Sequence, residues 1–345
     1  MSAFPSGISL SRSAILAVIV FAACAKRRGA RSAPSEVPIP QDLFARVNGV
    51  TLHYLDWGGT GDLLLMIPGW SHTAYTWVGI APSFTDRFHV MGLTRRGHGA
   101  SEKVDSGFTI EALVQDIVSF VDAVGAKRVV MVGSSFAGRE MPLAAGRLGE
   151  RAAGLVFIDA VYDWPALAAG GAAASVSRFL QPPDSAFRAR EALEAWYRWR
   201  DPSTWGAAQQ ATLRSQTYLM PDGRVGWQLP ESFGRHLAAI RGRAAEFSAI
   251  SVPTLALWAN QAEPVTTTML AAGYSEADAS VFRKWAAEVD VPVKRAGIAA
   301  LLRAVPTATI VEMKAMHVIH WSDPEAVVGH TNRFLDGLVR SLHLR

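Results

Sequence analysis

The chain has 345 residues, half of them hydrophobic, with 34 Lys and Arg against 30 Asp and Glu, 29 Gly, 18 Pro and a single cysteine. This composition excludes a fibre and a disordered chain, and the length allows two domains or one large domain with an insertion. One cysteine cannot close an internal disulfide, so stability must come from a packed core. Residues 1–40 hold Arg12, Lys26, Arg27, Arg28 and Arg31 against Glu36, which accounts for the whole net charge of +4. The remainder is neutral, without a basic run interleaved with aromatics, and a nucleic-acid partner is not expected.

Ile15 to Ala25 is an apolar and small-residue run, too short for a spanning helix of about 20 residues but of the length of a signal-peptide core. Ala23-Cys24-Ala25 suits a signal peptidase, and Phe21 to Cys24 suits lipidation of Cys24. Lys26-Arg27-Arg28 lies beyond the run, where positive charge opposes translocation, which suits a retained anchor. Residues 1–25 are therefore expected to be a signal peptide or N-terminal anchor, and 26–41 a linker. Either version makes the protein exported, periplasmic or membrane-anchored, with this segment its only membrane contact. A mis-assigned start would leave it cytoplasmic.

From Phe44 the pattern becomes short apolar runs separated by turns. Asn48-Gly49 predicts a two-residue hairpin. The runs 63–67, 89–93, 128–132, 154–158, 254–258 and 309–313 predict strands covered on both faces. Residues 110–125 predict a helix with Ile110, Leu113, Val114, Ile117 and Val121 on one face and Gly125 at its end. Alternation of strand and helix predicts an α/β core with a mainly parallel twisted sheet flanked by helices, formed by residues 42–162 and 251–345. Between them, residues 163–250 break the rhythm and carry five of the eleven tryptophans, predicting a helical cap.

Gly133-Ser134-Ser135-Phe136-Ala137 follows one of these strands and opens a helix. A serine on such a turn is pushed into the open, and backbone N–H groups at the helix start face any developing negative charge. Ser135 is the candidate nucleophile. A serine hydroxyl needs a base within reach, and the base needs a partner to fix its tautomer.

Several features together resemble the α/β-hydrolase family: Pro68-Gly69-Trp70, Arg96-Gly97-His98-Gly99-Ala100-Ser101, the turn at Ser135, and His317 followed by Pro324-Glu325-Ala326-Val327. The chain departs from the family pattern at Pro68, where His is usual, and at Thr94, where Asp is usual. The resemblance implies an α/β-hydrolase fold and assigns His317 as the base, with His320 the alternative and His98 structural. It implies an oxyanion hole from the backbone N–H groups of Trp70 and Phe136. The usual acid position holds Ala262, with Glu263 beside it. In a family variant the acid follows the preceding strand, which here gives Asp159. Asp159 is the expected acid, with Glu263 the alternative and Asp163 a further candidate.

The resemblance thus implies a serine hydrolase cleaving a small hydrophobic ester or lactone. A serine in this position is incompatible with the Asp-dependent dehalogenases and epoxide hydrolases of the family. A C–C bond hydrolase, an acyltransferase or a non-catalytic binding protein are the alternatives. No metal-ligand spacing or cofactor-binding fingerprint occurs, so neither metal nor cofactor is expected.

Overall fold

The computed structural model describes residues 39–343 apart from 170–175, 177, 178, 180, 201, 203, 231–239, 241 and 242. The expectations for residues 1–38, including Cys24, lie outside the described residues.

Strands β1 (Gln41–Val47) and β2 (Val50–Gly58) form the predicted hairpin, with Asn48 and Gly49 both at positive φ, 46° and 79°. The first strand begins at Gln41, one residue inside the expected linker, because its backbone pairs with Asp56. Next come β3 (Leu63–Ile67) and β4 (His89–Leu93), then helix α1 (Ile110–Ala123). The Thr109 side chain caps α1 by accepting from the Ala112 N–H at 3.2 Å, a contact worth about 1 kcal/mol. Ile110, Leu113, Val114, Ile117, Phe120 and Val121 form its buried face, and Gly125 at φ 68° ends it.

β5 (Val129–Ser134), α2 (Ala137–Leu148) and β6 (Ala152–Ile158) follow. The region after β6 holds α3 (Trp164–Ala169), α4 (Arg190–Arg200), α5 (Ala207–Gln216) and a small ribbon of β7 (Thr217–Leu219) and β8 (Val225–Trp227). β9 (Thr254–Ala259) returns to the sheet. A second helical excursion then holds α6 (Ala262–Ala271), α7 (Glu276–Trp285), a π-helical turn at Ala286–Asp290 and α8 (Val291–Ala304). The chain closes with β10 (Thr309–Met313), the short α9 (Ile319–Ser322) and α10 (Pro324–His343).

The main sheet has eight strands in the order β1-β2-β4-β3-β5-β6-β9-β10. β1, β2 and β4 pair antiparallel, and the remaining neighbours are parallel. Buried apolar residues cover both faces, which explains why the central strands read as continuous hydrophobic runs. Parallel strands align their carboxyl ends on one edge, and the loops leaving β3, β5, β6 and β10 meet there.

The aromatic residues of the 163–250 region pack in three places. Phe187, Trp196, Tyr197, Trp205 and Trp227 surround a small core of Ala186, Leu193, Leu213 and Val225. Trp164 instead joins the main core against Phe136 and Tyr162. Phe179 packs with Val265, Met269 and Phe282 of the second excursion.

Candidate active site

Ser135 stands between the end of β5 and the start of α2 at φ 51°, in the left-handed region that disfavours side chains. Its N–H donates to the Ile158 carbonyl at 3.2 Å, and its own carbonyl accepts from the Gly138 N–H at 3.0 Å. The turn is tight enough to demand glycine on either side. A Cβ on Gly133 would lie 2.2 Å from the Met141 sulfur, and one on Gly138 would lie 1.8 Å from the Ala160 carbonyl oxygen.

His317 follows β10, and its Nε2 lies 3.1 Å from Ser135 Oγ. Its Nδ1 lies 2.6 Å from Oδ2 of Asp159, which follows β6 at φ 42°. Three residues separated by up to 182 positions thus form one hydrogen-bonded relay. His317 is half-exposed, with 42% of its side chain accessible, whereas Asp159 keeps only 1%. The carboxylate is satisfied on every side: Oδ1 accepts from the Ala259 N–H at 2.9 Å, and the Tyr162 hydroxyl lies 2.9 Å from Oδ2. Tyr162 also sits 3.0 Å from His317 Nδ1.

Burial alone would raise the pKa of Asp159. The Lys294 cation, the hydrogen bond and charge of His317 and the Ala259 N–H outweigh it and bring the pKa down to about 2. Burial and the neighbouring Asp159 charge push the Tyr162 phenol well above its ordinary value, so it remains a proton donor.

The other candidate residues lie elsewhere. Glu263 is on the surface in α6, 72% exposed, paired with Lys314 at 3.2 Å. Asp163 caps α3 by accepting from the Ala166 N–H. His320 is buried against Trp77 with its Nε2 2.9 Å from Thr76 Oγ1. His98 donates from Nδ1 to the Arg96 carbonyl within its own turn.

The loop after β3 approaches the nucleophile closely, since a Cβ on Gly69 would lie 3.2 Å from Ser135 Cβ. Trp70, in this loop, packs edge-on against Phe136, with ring centroids 4.7 Å apart. Arg95 fixes the loop by donating to the Pro68 carbonyl at 2.8 Å and the Gly69 carbonyl at 3.1 Å. Glu140 on α2 holds Arg95 in turn with two contacts of 2.7 and 2.5 Å. Such a buried, bidentate pair imposes geometry as well as charge compensation.

Beyond Trp70, Ser71 adopts φ 63°, and its carbonyl accepts from the Gln216 side chain of α5 at 2.8 Å. His72 stacks on Trp321, and burial together with the nearby His317 and Arg95 lowers its pKa to about 4.

The two departures from the family pattern also acquire a structural account. Thr94 Oγ1 accepts from the Ala74 N–H at 3.0 Å and meets His53 Nδ1 at 2.8 Å, while His53 Nε2 contacts Asp42 at 2.5 Å. Thr94 is thus linked through His53 to the carboxylate of Asp42. Position 68 needs only a carbonyl for Arg95.

Sequence reasoning missed Arg95, Glu140, Tyr162 and Lys294. Arg95 adjoins the recognised Arg96-Gly97-His98 run and Tyr162 follows Asp159 closely, but nothing local marks Lys294, whose partners lie in three separate elements. Among the described residues, no cluster of three or more His, Cys, Asp or Glu could hold a metal. No described helix is long and apolar enough to cross a membrane.

A serine, an imidazole and a buried carboxylate in this order can act as a nucleophile, its base and an orienting acid. Residues 64–330 match the alpha/beta hydrolase family. The chain belongs to that family. Among alpha/beta hydrolases, a soluble epoxide hydrolase from Corynebacterium sp. strain C12 is 31% identical over 27% of this chain and 32% of its own length. N-formylmaleamate deformylase of Pseudomonas putida is 31% identical over 34% of this chain and 44% of its own. The chain thus aligns with less than half the length of these relatives. The crystal structure of E-2-(acetamidomethylene)succinate hydrolase superposes with a TM-score of 0.66 at 19% identity, covering 86% of this chain and all of the other. The enol-lactonase of Burkholderia xenovorans LB400 gives 0.55 at 20% identity, covering 85% and 100%. These two likenesses show a shared fold.

Proposed function

We propose that this alpha/beta hydrolase is a serine hydrolase that cleaves a carboxylic ester or lactone with small or medium hydrophobic groups. The observation that carries this reading is the relay from Ser135 through His317 to Asp159, with contacts of 3.1 and 2.6 Å. Ser135 Oγ attacks the carbonyl carbon as its proton passes to His317 Nε2. The resulting oxyanion is met by the N–H groups of Trp70 and Phe136. His317 returns the proton to the leaving alcohol, and water, activated by the same imidazole, then releases the acid. Asp159 keeps the Nδ1 proton in place and stabilises the imidazolium without taking the proton itself.

Serine chemistry favours a carbonyl substrate over an epoxide. Attack on an epoxide carbon would leave an ether on Ser135 that water does not reopen, whereas acyl transfer leaves a hydrolysable ester. The similarity to an epoxide hydrolase is therefore read as shared ancestry of the scaffold. Similarity to a deformylase supports adding an amide to the substrate panel, because the same relay protonates a leaving nitrogen.

We assign residues 163–250 as a cap whose packing selects the acyl or alcohol group, and residues 1–25 as an export signal or anchor. Subcellular fractionation of the full-length chain tests the latter, with recovery only in the cytosol refuting it. The central test is turnover of p-nitrophenyl esters of increasing acyl length beside Ser135→Ala, together with fluorophosphonate labelling. Turnover and labelling should both vanish in the variant, and retained turnover refutes the proposal.

A further inference from the structure

Lys294 is completely buried, and a lysine in that position must be compensated. Its ammonium lies 3.1 Å from Asp159 Oδ2 and 3.0 Å from Asp290 Oδ2, and it donates to the Ala259 carbonyl at 2.8 Å. Ala259 meanwhile donates its N–H to the other oxygen of Asp159. One residue at the end of β9 therefore links the lysine and the acid, while the ammonium also faces the acid directly.

The placement depends on α8. A Cβ at Gly297 would lie 2.5 Å from the Tyr162 backbone, so this helix packs directly against the segment that follows Asp159. The π-helical turn just before α8 ends at Asp290, one helical turn from Lys294. Turns of this kind often mark functional positions. A lysine serving only to lock α8 could pair with Asp290 alone. This one reaches across to the acid of the relay.

We infer that Lys294 and Asp290 are positioning residues that set the charge and orientation of Asp159 and, through it, the readiness of His317 to hold a proton. The inference rests on the serine-hydrolase reading and deepens it. Asp159 faces His317, Tyr162, Lys294 and the Ala259 N–H, with Asp290 behind the lysine. His317 faces Ser135, Asp159 and Tyr162, and the uncharged His72 and His320 lie close enough to interact with it. Lys294 is thus the cation in the set, balanced by two carboxylates. It opposes formation of the imidazolium, whereas Asp290 favours it.

The two charges predict opposite effects. In Lys294→Met, the acidic limb of kcat/KM and the titration of the His317 ring followed by NMR should both move up by about one pH unit. In Asp290→Asn both should move down. A purely structural lysine would lower the melting temperature and leave the titration unchanged. An unmoved titration in both variants, or a downward shift in Lys294→Met, overturns the inference. If Lys294→Met does not fold, Asp290→Asn decides alone: a downward shift supports the inference and an unmoved titration overturns it. The NMR readout does not depend on turnover, so absence of ester hydrolysis by the unaltered protein would sink the functional reading separately.

Discussion

Replacing Asp159 with Asn keeps the shape of the side chain but turns one of its two acceptor oxygens into a donor. The Asn carbonyl can occupy the Oδ1 position and still accept the Ala259 N–H, now at 2.9 Å. Its amide nitrogen then takes the Oδ2 position and no longer accepts from His317 Nδ1, the Tyr162 hydroxyl or the Lys294 ammonium, which stand 2.6, 2.9 and 3.1 Å from Oδ2. The imidazole relieves this by moving its proton to Nε2, which leaves no lone pair facing Ser135. In a serine protease the same tautomer error lowers kcat by about 10,000-fold, equivalent to about 5.5 kcal/mol of transition-state stabilisation. The assay is kcat for p-nitrophenyl butyrate, with a melting curve to verify folding. Glu263→Gln is the matched control, since the Glu263 carboxylate is paired with Lys314 at the surface, and it should stay within about twofold of the unaltered protein. An Asp159→Asn protein retaining more than a tenth of the activity, or a larger loss in Glu263→Gln, refutes the assignment of the acid.

Arg95→Met should lower kcat by about tenfold or more with little change in KM, because the loop carrying Trp70 loses two carbonyl anchors while its N–H donor remains; steady-state kinetics on an ester check this. Gly138→Ala should destabilise by about 3 kcal/mol or prevent folding, read by denaturant titration, because its Cβ would strike the Ala160 carbonyl. Acid should weaken the fold in two stages. Burial lowers His53, His72 (to about 4), His98 (to about 3) and His320, so the unfolded chain binds more protons below the ordinary value of 6.5. Stability should therefore fall with decreasing pH between about 6.5 and 4, by about 1.4 kcal/mol per pH unit for each neutral histidine. Asp159, depressed to about 2, adds a further loss as pH falls from 3.8 to that value. Melting temperatures across this range that do not fall would contradict the burial of these rings.

The inner strands β3, β5, β6 and β9 were legible because each is short, buried on both faces and bounded by turns. Ser135 was equally legible, since the residue types around a strained turn are constrained by contacts a few ångströms away, such as those of Gly133 and Gly138. The acid was harder to read. Asp159 and Glu263 both lie near strand ends, and only the distance to His317 separates them. Lys294 was invisible because an isolated lysine in an amphipathic helix ordinarily faces water, and its burial follows from contacts with residues 35 to 135 positions away. The second helical excursion between β9 and β10 was not legible from local pattern, since it packs on the region beyond β6 through Phe179.

The bond from Gln216 to the Ser71 carbonyl, with Ser215 touching Thr73 beside it, makes α5 a mechanical support of the loop that carries Trp70. On the proposed reading of residues 163–250 as a cap, substrate choice and rate are tied to one lever. A cap exchanged for that of a relative would then bring its own pocket, but it would also release the backbone next to the proposed oxyanion donors. Chimeras that keep positions 215 and 216 should therefore tolerate new lids better than those that respect only the boundaries of the inserted region.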